Sequence, residues 1–227
     1  WGLAPGALER LCRERHPALV EVQTRLARLY PQYTIARLSP QVYGEHLAPL
    51  VFNAPVAGDH YDWHIDADPN QAPPSTWSDL HGHYINRQPG KPLFVTLLLY
   101  LPPPPAEDED ENSESADGSA WEWPLNQDAE TLFLDIPTDT GIFVRPKPSR
   151  AIIMDQDITH RVSAPSRFSK TPRYSLVWKL VFHPKQNIDG ENRIVDHSNN
   201  DAADSLMSII MDPVPVTLFG SANDNLP

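Results

Sequence analysis

From Val42 to Phe182 the chain is a succession of short apolar or alternating runs, separated by proline, glycine and polar clusters. Val42 to Ala54 is rich in β-branched and aromatic residues, is interrupted by Pro49, and is followed by Pro55 and Gly58. Leu93 to Leu101 is continuously apolar, as expected of a strand buried on both faces. Glu130 to Ile136 alternates and puts Leu132, Leu134 and Ile136 on one face. Gly141 to Val144, Ala151 to Met154 and Arg173 to Phe182 complete the series. Before these, Leu8, Leu11, Val20, Val22, Leu26 and Leu29 recur at helical spacing, and Pro17 divides that stretch into two short helices. Many short strands after a helical region predict an antiparallel barrel or sandwich with packed helices.

With 227 residues the chain can bury one substantial core, so a single domain over 1–227 is the simplest expectation. It divides into an N-terminal helical region (1–40), a strand-rich core (41–182) and a C-terminal extension (183–227) with a helix candidate at Ala202 to Met211. A proline run at Pro102 to Pro105 and an acidic block from Glu107 mark an exposed insertion over 102–119, a solvated loop or a recruiter of basic substrates. The net charge of -12 disfavours nucleic acid as a partner and suits a cationic or neutral substrate; it also serves solubility alone. The lone Cys12 excludes an intramolecular disulfide and a cysteine-built zinc site. No apolar run is long enough to span a bilayer, so no membrane partner is expected. With one cysteine and no visible signal peptide, the expected location is cytoplasmic or nuclear. Oligomeric state is not legible.

The chemistry-bearing residues are His64-x-Asp66 and, nearly a hundred residues on, His160. On a strand, residues i and i+2 share a face, so His64 and Asp66 can grip one metal from a rigid support. The third ligand must then come from another strand. His160 follows the strand-like run Ile152 to Asp155, at a strand-to-loop junction. Two imidazoles and one carboxylate on one face of a metal form the facial triad of non-heme Fe(II) oxygenases, with open positions opposite. His-x-Asp alone is a weak signal, and with nine histidines in the chain some are simply surface or hydrogen-bonded residues. His81-Gly82-His83 is a rival pair in a polar, loop-like stretch, read as surface or loop residues. His60, four residues before His64, suits the pocket rim. Thirteen residues after His160, Arg173 opens the apolar run to Phe182; Ser175 shares its face, as does Lys179 further along. Lys170 is a rival basic residue in that gap.

Five segments together resemble the 2-oxoglutarate- and Fe(II)-dependent dioxygenases, in their prolyl-4-hydroxylase-like branch. They are Tyr61 to Pro69, Val95 to Leu101, Glu130 to Leu134, Gly141 through Asp157 to Val162, and Pro172 to Trp178, in family order over roughly 50–182. The resemblance implies a double-stranded β-helix, a jelly-roll (cupin-like) barrel with N-terminal helices packed on the major sheet. It implies His64, Asp66 and His160 as ligands and catalytic centre of Fe(II), with Arg173 pairing the distal carboxylate of 2-oxoglutarate. A guanidinium fork suits that carboxylate, and the Ser175 hydroxyl can join it. Tyr100 is a further candidate for cosubstrate contact, or a core residue. Tyr61 is a candidate for substrate contact, provided the chain bends between Gly58 and Asp62.

The implied reaction couples oxidative decarboxylation of 2-oxoglutarate by O2 to hydroxylation of an aliphatic C–H, with ascorbate as auxiliary reductant. The intact Asp66 favours hydroxylation over halogenation. A prolyl or other residue of a protein or peptide is the implied substrate, with a free amino acid or biosynthetic small molecule as the alternative. The chain also departs from the family. Ala54 stands near where a cosubstrate-binding tyrosine is common, Asp128-Ala129 replaces a glycine pair, and the gap between His160 and Arg173 is longer, Ser166 to Thr171 forming a loop. Two other classes stay open: a non-catalytic binding protein with a retained barrel, and a zinc hydrolase, in which Arg173 would have no task.

Overall fold

A computed structural model describes residues 7–38, 43–44, 47–103, 123–169 and 171–185. Most of the acidic insertion, Lys170 and the helix candidate at 202–211 lie outside the described residues. The chain separates into two compact units. The first takes Leu50–Asp66 and the described part of Thr96–Trp178; the second takes the described residues up to Pro49, Ala67–Val95 and those from Lys179.

The architecture is mainly β with few helices. One sheet has the order β1-β8-β3-β6, with β2 also paired to β8, and a second has the order β5-β4-β7. The strands are β1 Tyr33–Arg37, β2 Leu50–Asn53, β3 Leu93–Tyr100, β4 Thr131–Asp135, β5 Thr140–Val144, β6 Ala151–Asp155, β7 His160–Val162 and β8 Ser175–Pro184. The registers of β1 and β2 on β8, and of β5 and β7 on β4, are antiparallel. Among the described residues, hydrogen bonding closes neither sheet into a barrel.

In the first unit β2 lies along the start of β8, with Leu50 opposite Trp178 and Asn53 opposite Ser175. β4 is the centre of the smaller sheet, and Phe133 faces His160 across to β7. The leucine face of β4 is not the buried one. Thr131 is fully buried and Leu132 and Leu134 only partly so, while Ile136 is 66% exposed, because the chain turns into a short 3-10 helix at Ile136–Thr138. Gly141 sits opposite Leu134, and a Cβ there would stand 2.9 Å from the Phe133 carbonyl oxygen. Backbone cannot yield as a side chain tip can, so Gly141→Ala should cost about 1–3 kcal/mol of stability. Urea denaturation of the variant checks this, and an unchanged midpoint would show that β5 moves aside at no cost.

In the second unit, Pro17 does more than interrupt a helix. It is the first residue of α2 (Pro17–Leu29), after α1 (Ala7–Arg13), and its preset φ suits that position. α2 packs on β1 through its buried face, which carries Gln23 and Leu26. The N-terminal region is therefore not wholly helical: Tyr33-Thr-Ile-Ala-Arg is a strand, its β-branched and aromatic residues pairing with Leu180–Pro184. A further helix, α3 (Thr76–His81), is begun by a reciprocal cap between Ser75 and Ser78. Its Trp77 enters a core with Tyr43, Tyr84, Phe94 and Val181. No described helix is long and apolar enough to cross a membrane.

Candidate metal centre

The segment carrying His64 and Asp66 is not a regular strand. His64 forms a single isolated antiparallel bridge with His160, through His64 N–H to His160 O (3.0 Å) and His160 N–H to His64 O (2.9 Å). The ladder stops there because residues 155–158 turn, with Ile158 N–H donating to Asp155 O, so Asp66 N–H reaches Gln156 O (2.8 Å) instead of the next rung. His160 itself opens β7 and is nearly fully buried, Asp66 is half-buried and His64 is exposed.

The bridge juxtaposes the two imidazoles, with ring centroids 4.4 Å apart. One ligand atom from each of His64, Asp66 and His160 lies within 4.8 Å of the others, a group that could hold a metal ion. Both rings are set by main chain. His64 Nδ1 is 2.8 Å from Asp62 O, and His160 Nδ1 is 2.9 Å from Ile158 O. A carbonyl only accepts, so each Nδ1 carries a proton, and Nε2 is the ring nitrogen that would face an ion. The carboxylate is set by a side chain: Thr96 Oγ1, fully buried on β3, donates to Asp66 Oδ2 at 2.7 Å. Two oriented imidazoles and one oriented carboxylate fit a divalent first-row metal with positions left open.

The same unit holds a buried cation. Arg173 is 1% exposed, and among the described residues no carboxylate pairs with it. Its Nη1 donates to Ser175 Oγ (3.1 Å) and its Nη2 to Thr131 Oγ1 (3.0 Å). Its guanidinium carbon lies 4.7 Å from the centre of the Tyr100 ring, and Nε is buried without a hydrogen-bond partner. Tyr100 is itself fixed by Thr131 Oγ1 (2.7 Å) and Val144 O (3.3 Å). Burial pulls the Arg173 pKa down, and the Tyr100 and Tyr61 hydroxyls oppose that. Burial pushes the Tyr61 phenol up, the Arg173 charge pulls it back, and Asp59 raises it further. Tyr61 thus lies within electrostatic reach of Arg173. The bend this requires is a turn at Val56–Asp59, closed by Asp59 N–H to Val56 O (3.0 Å), with Gly58 at φ +93°.

Other candidates fall elsewhere. His60 is exposed. His83 is exposed, with Nδ1 on Asn70 O. His81 is not a loop residue: it ends α3, half-buried, its ring 4.2 Å from that of Trp77 and 6.3 Å from that of His183. Burial, helped by the Lys91 charge, holds its pKa down at about 4. Sequence reasoning missed Thr96 and Thr131. The available signal was a hydroxyl interrupting a fully apolar run at Thr96, and at Thr131 a hydroxyl on the non-leucine face of an alternating strand.

No protein-family model and no curated protein matches the chain. Among solved structures it is similar to a chain from work described as "Crystal structure and expression patterns of prolyl 4-hydroxylases from Phytophthora capsici", at 21% identity and a TM-score of 0.37. The match covers 88% of this chain and 54% of that one, so this chain spans about half of that protein's length. So loose a superposition carries no argument, and the chemistry rests on the residues described above.

Proposed function

We propose that the chain is an Fe(II)- and 2-oxoglutarate-dependent dioxygenase on a double-stranded β-helix, hydroxylating an aliphatic C–H of a prolyl or other residue in a protein or peptide. O2 is the other co-substrate, and ascorbate the auxiliary reductant. One observation carries the reading: a gathered His64, Asp66 and His160 shares a compact unit with Arg173, a buried guanidinium that no described carboxylate neutralises. A buried cation without an anion is costly, and such groups persist where a ligand supplies the missing charge.

Iron bound at the triad would couple O2-driven decarboxylation of 2-oxoglutarate, giving succinate and CO2, to transfer of the second oxygen atom to the substrate carbon. The chain's own residues do the rest. His64 and His160 would hold the ion through imidazoles oriented by Asp62 O and Ile158 O, and Asp66 through a carboxylate oriented by Thr96. Arg173 neutralises the far carboxylate of the 2-oxo acid, its fork held by Ser175 and Thr131. Tyr100 lies under that fork, and the burial of Arg173 keeps water from competing for the anion.

The test is succinate formation after O2 is added to anaerobically Fe(II)-loaded protein. The wild type should show slow turnover without substrate, and His160→Ala should reduce it to background. A wild type that makes no succinate and does not bind Fe(II) together with 2-oxoglutarate would leave the chain a binding module.

A further inference from the structure

Thr96 stands out within β3. It is the one residue of Leu93–Leu99 with a hydroxyl, it is 0% exposed, and that hydroxyl reaches back thirty positions to Asp66 Oδ2 at 2.7 Å. A threonine in a buried strand can satisfy its hydroxyl on local backbone. Here it donates to a carboxylate, and such charge-assisted bonds are short and directional. Asp66 N–H is meanwhile tied to Gln156 O at 2.8 Å, so the residue is held at both main chain and side chain.

We propose that Thr96 is a positioning residue that fixes Asp66 as a one-oxygen ligand, which deepens and rests on the dioxygenase reading. With Oδ2 held by the Thr96 hydroxyl, the carboxylate is oriented to meet an ion through a single oxygen. The two imidazoles and this single oxygen would hold an ion from one side and leave its other positions for ligands from outside. Without the hydroxyl the carboxylate is able to rotate and bind through both oxygens. That consumes a position needed by a bidentate 2-oxo acid, and loses the orientation on which affinity depends.

The experiment is titration of Co(II) into metal-stripped full-length protein. Visible absorption intensity reports coordination number, and the titration gives Kd. Thr96→Val removes the hydroxyl at constant volume, while Thr96→Ser and Thr96→Ala differ by the hydroxyl alone, which keeps the comparison valid should the valine variant fold poorly. Val and Ala variants should bind Co(II) about 10- to 100-fold more weakly, with an altered spectrum, and Ser should stay near wild type. The metal-stripped Ser and Ala variants should melt at similar temperatures, which a merely structural role would not predict. Wild-type affinity and spectrum in the Val and Ala variants overturn the positioning role and leave the metal reading intact. A wild type that binds no Co(II) at the triad overturns both.

Discussion

Arg173→Ala should raise the 2-oxoglutarate concentration needed for half-maximal succinate formation by at least about 10²-fold, with Fe(II) affinity little changed. Hydrogen bonds to charged partners contribute about 1.5–3 kcal/mol each, and a guanidinium fork makes two to a carboxylate. Each 1.4 kcal/mol is about tenfold in affinity, so two bonds account for the loss. Arg173→Lys keeps the charge but not the fork and should fall between the two. Stability should move little. The variant strands the hydroxyl of Ser175 and leaves that of Thr131 on Tyr100, and it removes a buried cation that no described carboxylate offsets. Isothermal titration of 2-oxoglutarate into the metal-loaded protein decides the matter. Equal affinities would mean that the buried guanidinium serves packing and that the cosubstrate, if any, docks elsewhere.

Acidification should weaken the second unit through His81 and His183. Burial holds both pKa values down at about 4; Lys91 adds to this at His81, and His81 does so at His183. Lys91 is tied to the same place, donating to His81 O at 2.8 Å. In the unfolded chain both histidines titrate near 6.5. Folded pKa values below the unfolded ones mean a stability contribution fully present above about pH 6.5 and lost as pH falls toward 4. Both groups are half-buried, so solvent screening discounts the full linkage value to about 2–3 kcal/mol for the pair. Urea midpoints at pH 7, 5.5 and 4 read the loss. Carboxylates titrate over the lower part of the same range, so the His81→Leu/His183→Leu double variant is the control, and its profile should be flatter between pH 6.5 and 5. Parallel profiles for the two proteins would show that neither ring stays neutral when folded.

Much of this molecule was legible because apolar runs and punctuation act locally. Leu93–Tyr100 is a strand because eight apolar or β-forming residues stand between prolines, and α2 starts where Pro17 can start it. The gathering of His64, Asp66 and His160 was also open to reading, although a single bridge between His64 and His160, not the expected strand, brings them together. What escaped depends on partners far away in sequence. Thr96 and Thr131 look like ordinary strand formers, and only Asp66 and Arg173 give their hydroxyls a purpose. α3 escaped because Pro73-Pro74 reads as loop, although those prolines precede the Ser75 cap rather than enter the helix. β1 escaped because five residues after a helix carry too little periodicity of their own, and β8 supplies the pairing.

The two histidines take their orientation from main-chain oxygens at positions 62 and 158, while the aspartate takes it from a side chain. Every amino acid brings the same carbonyl, so positions 62 and 158 can drift in identity while the orienting oxygen is inherited unchanged. A saturation mutagenesis survey would score both as tolerant and miss their role altogether. Position 96 has no such insurance, because the bond to Asp66 comes from its side chain and is lost with the hydroxyl.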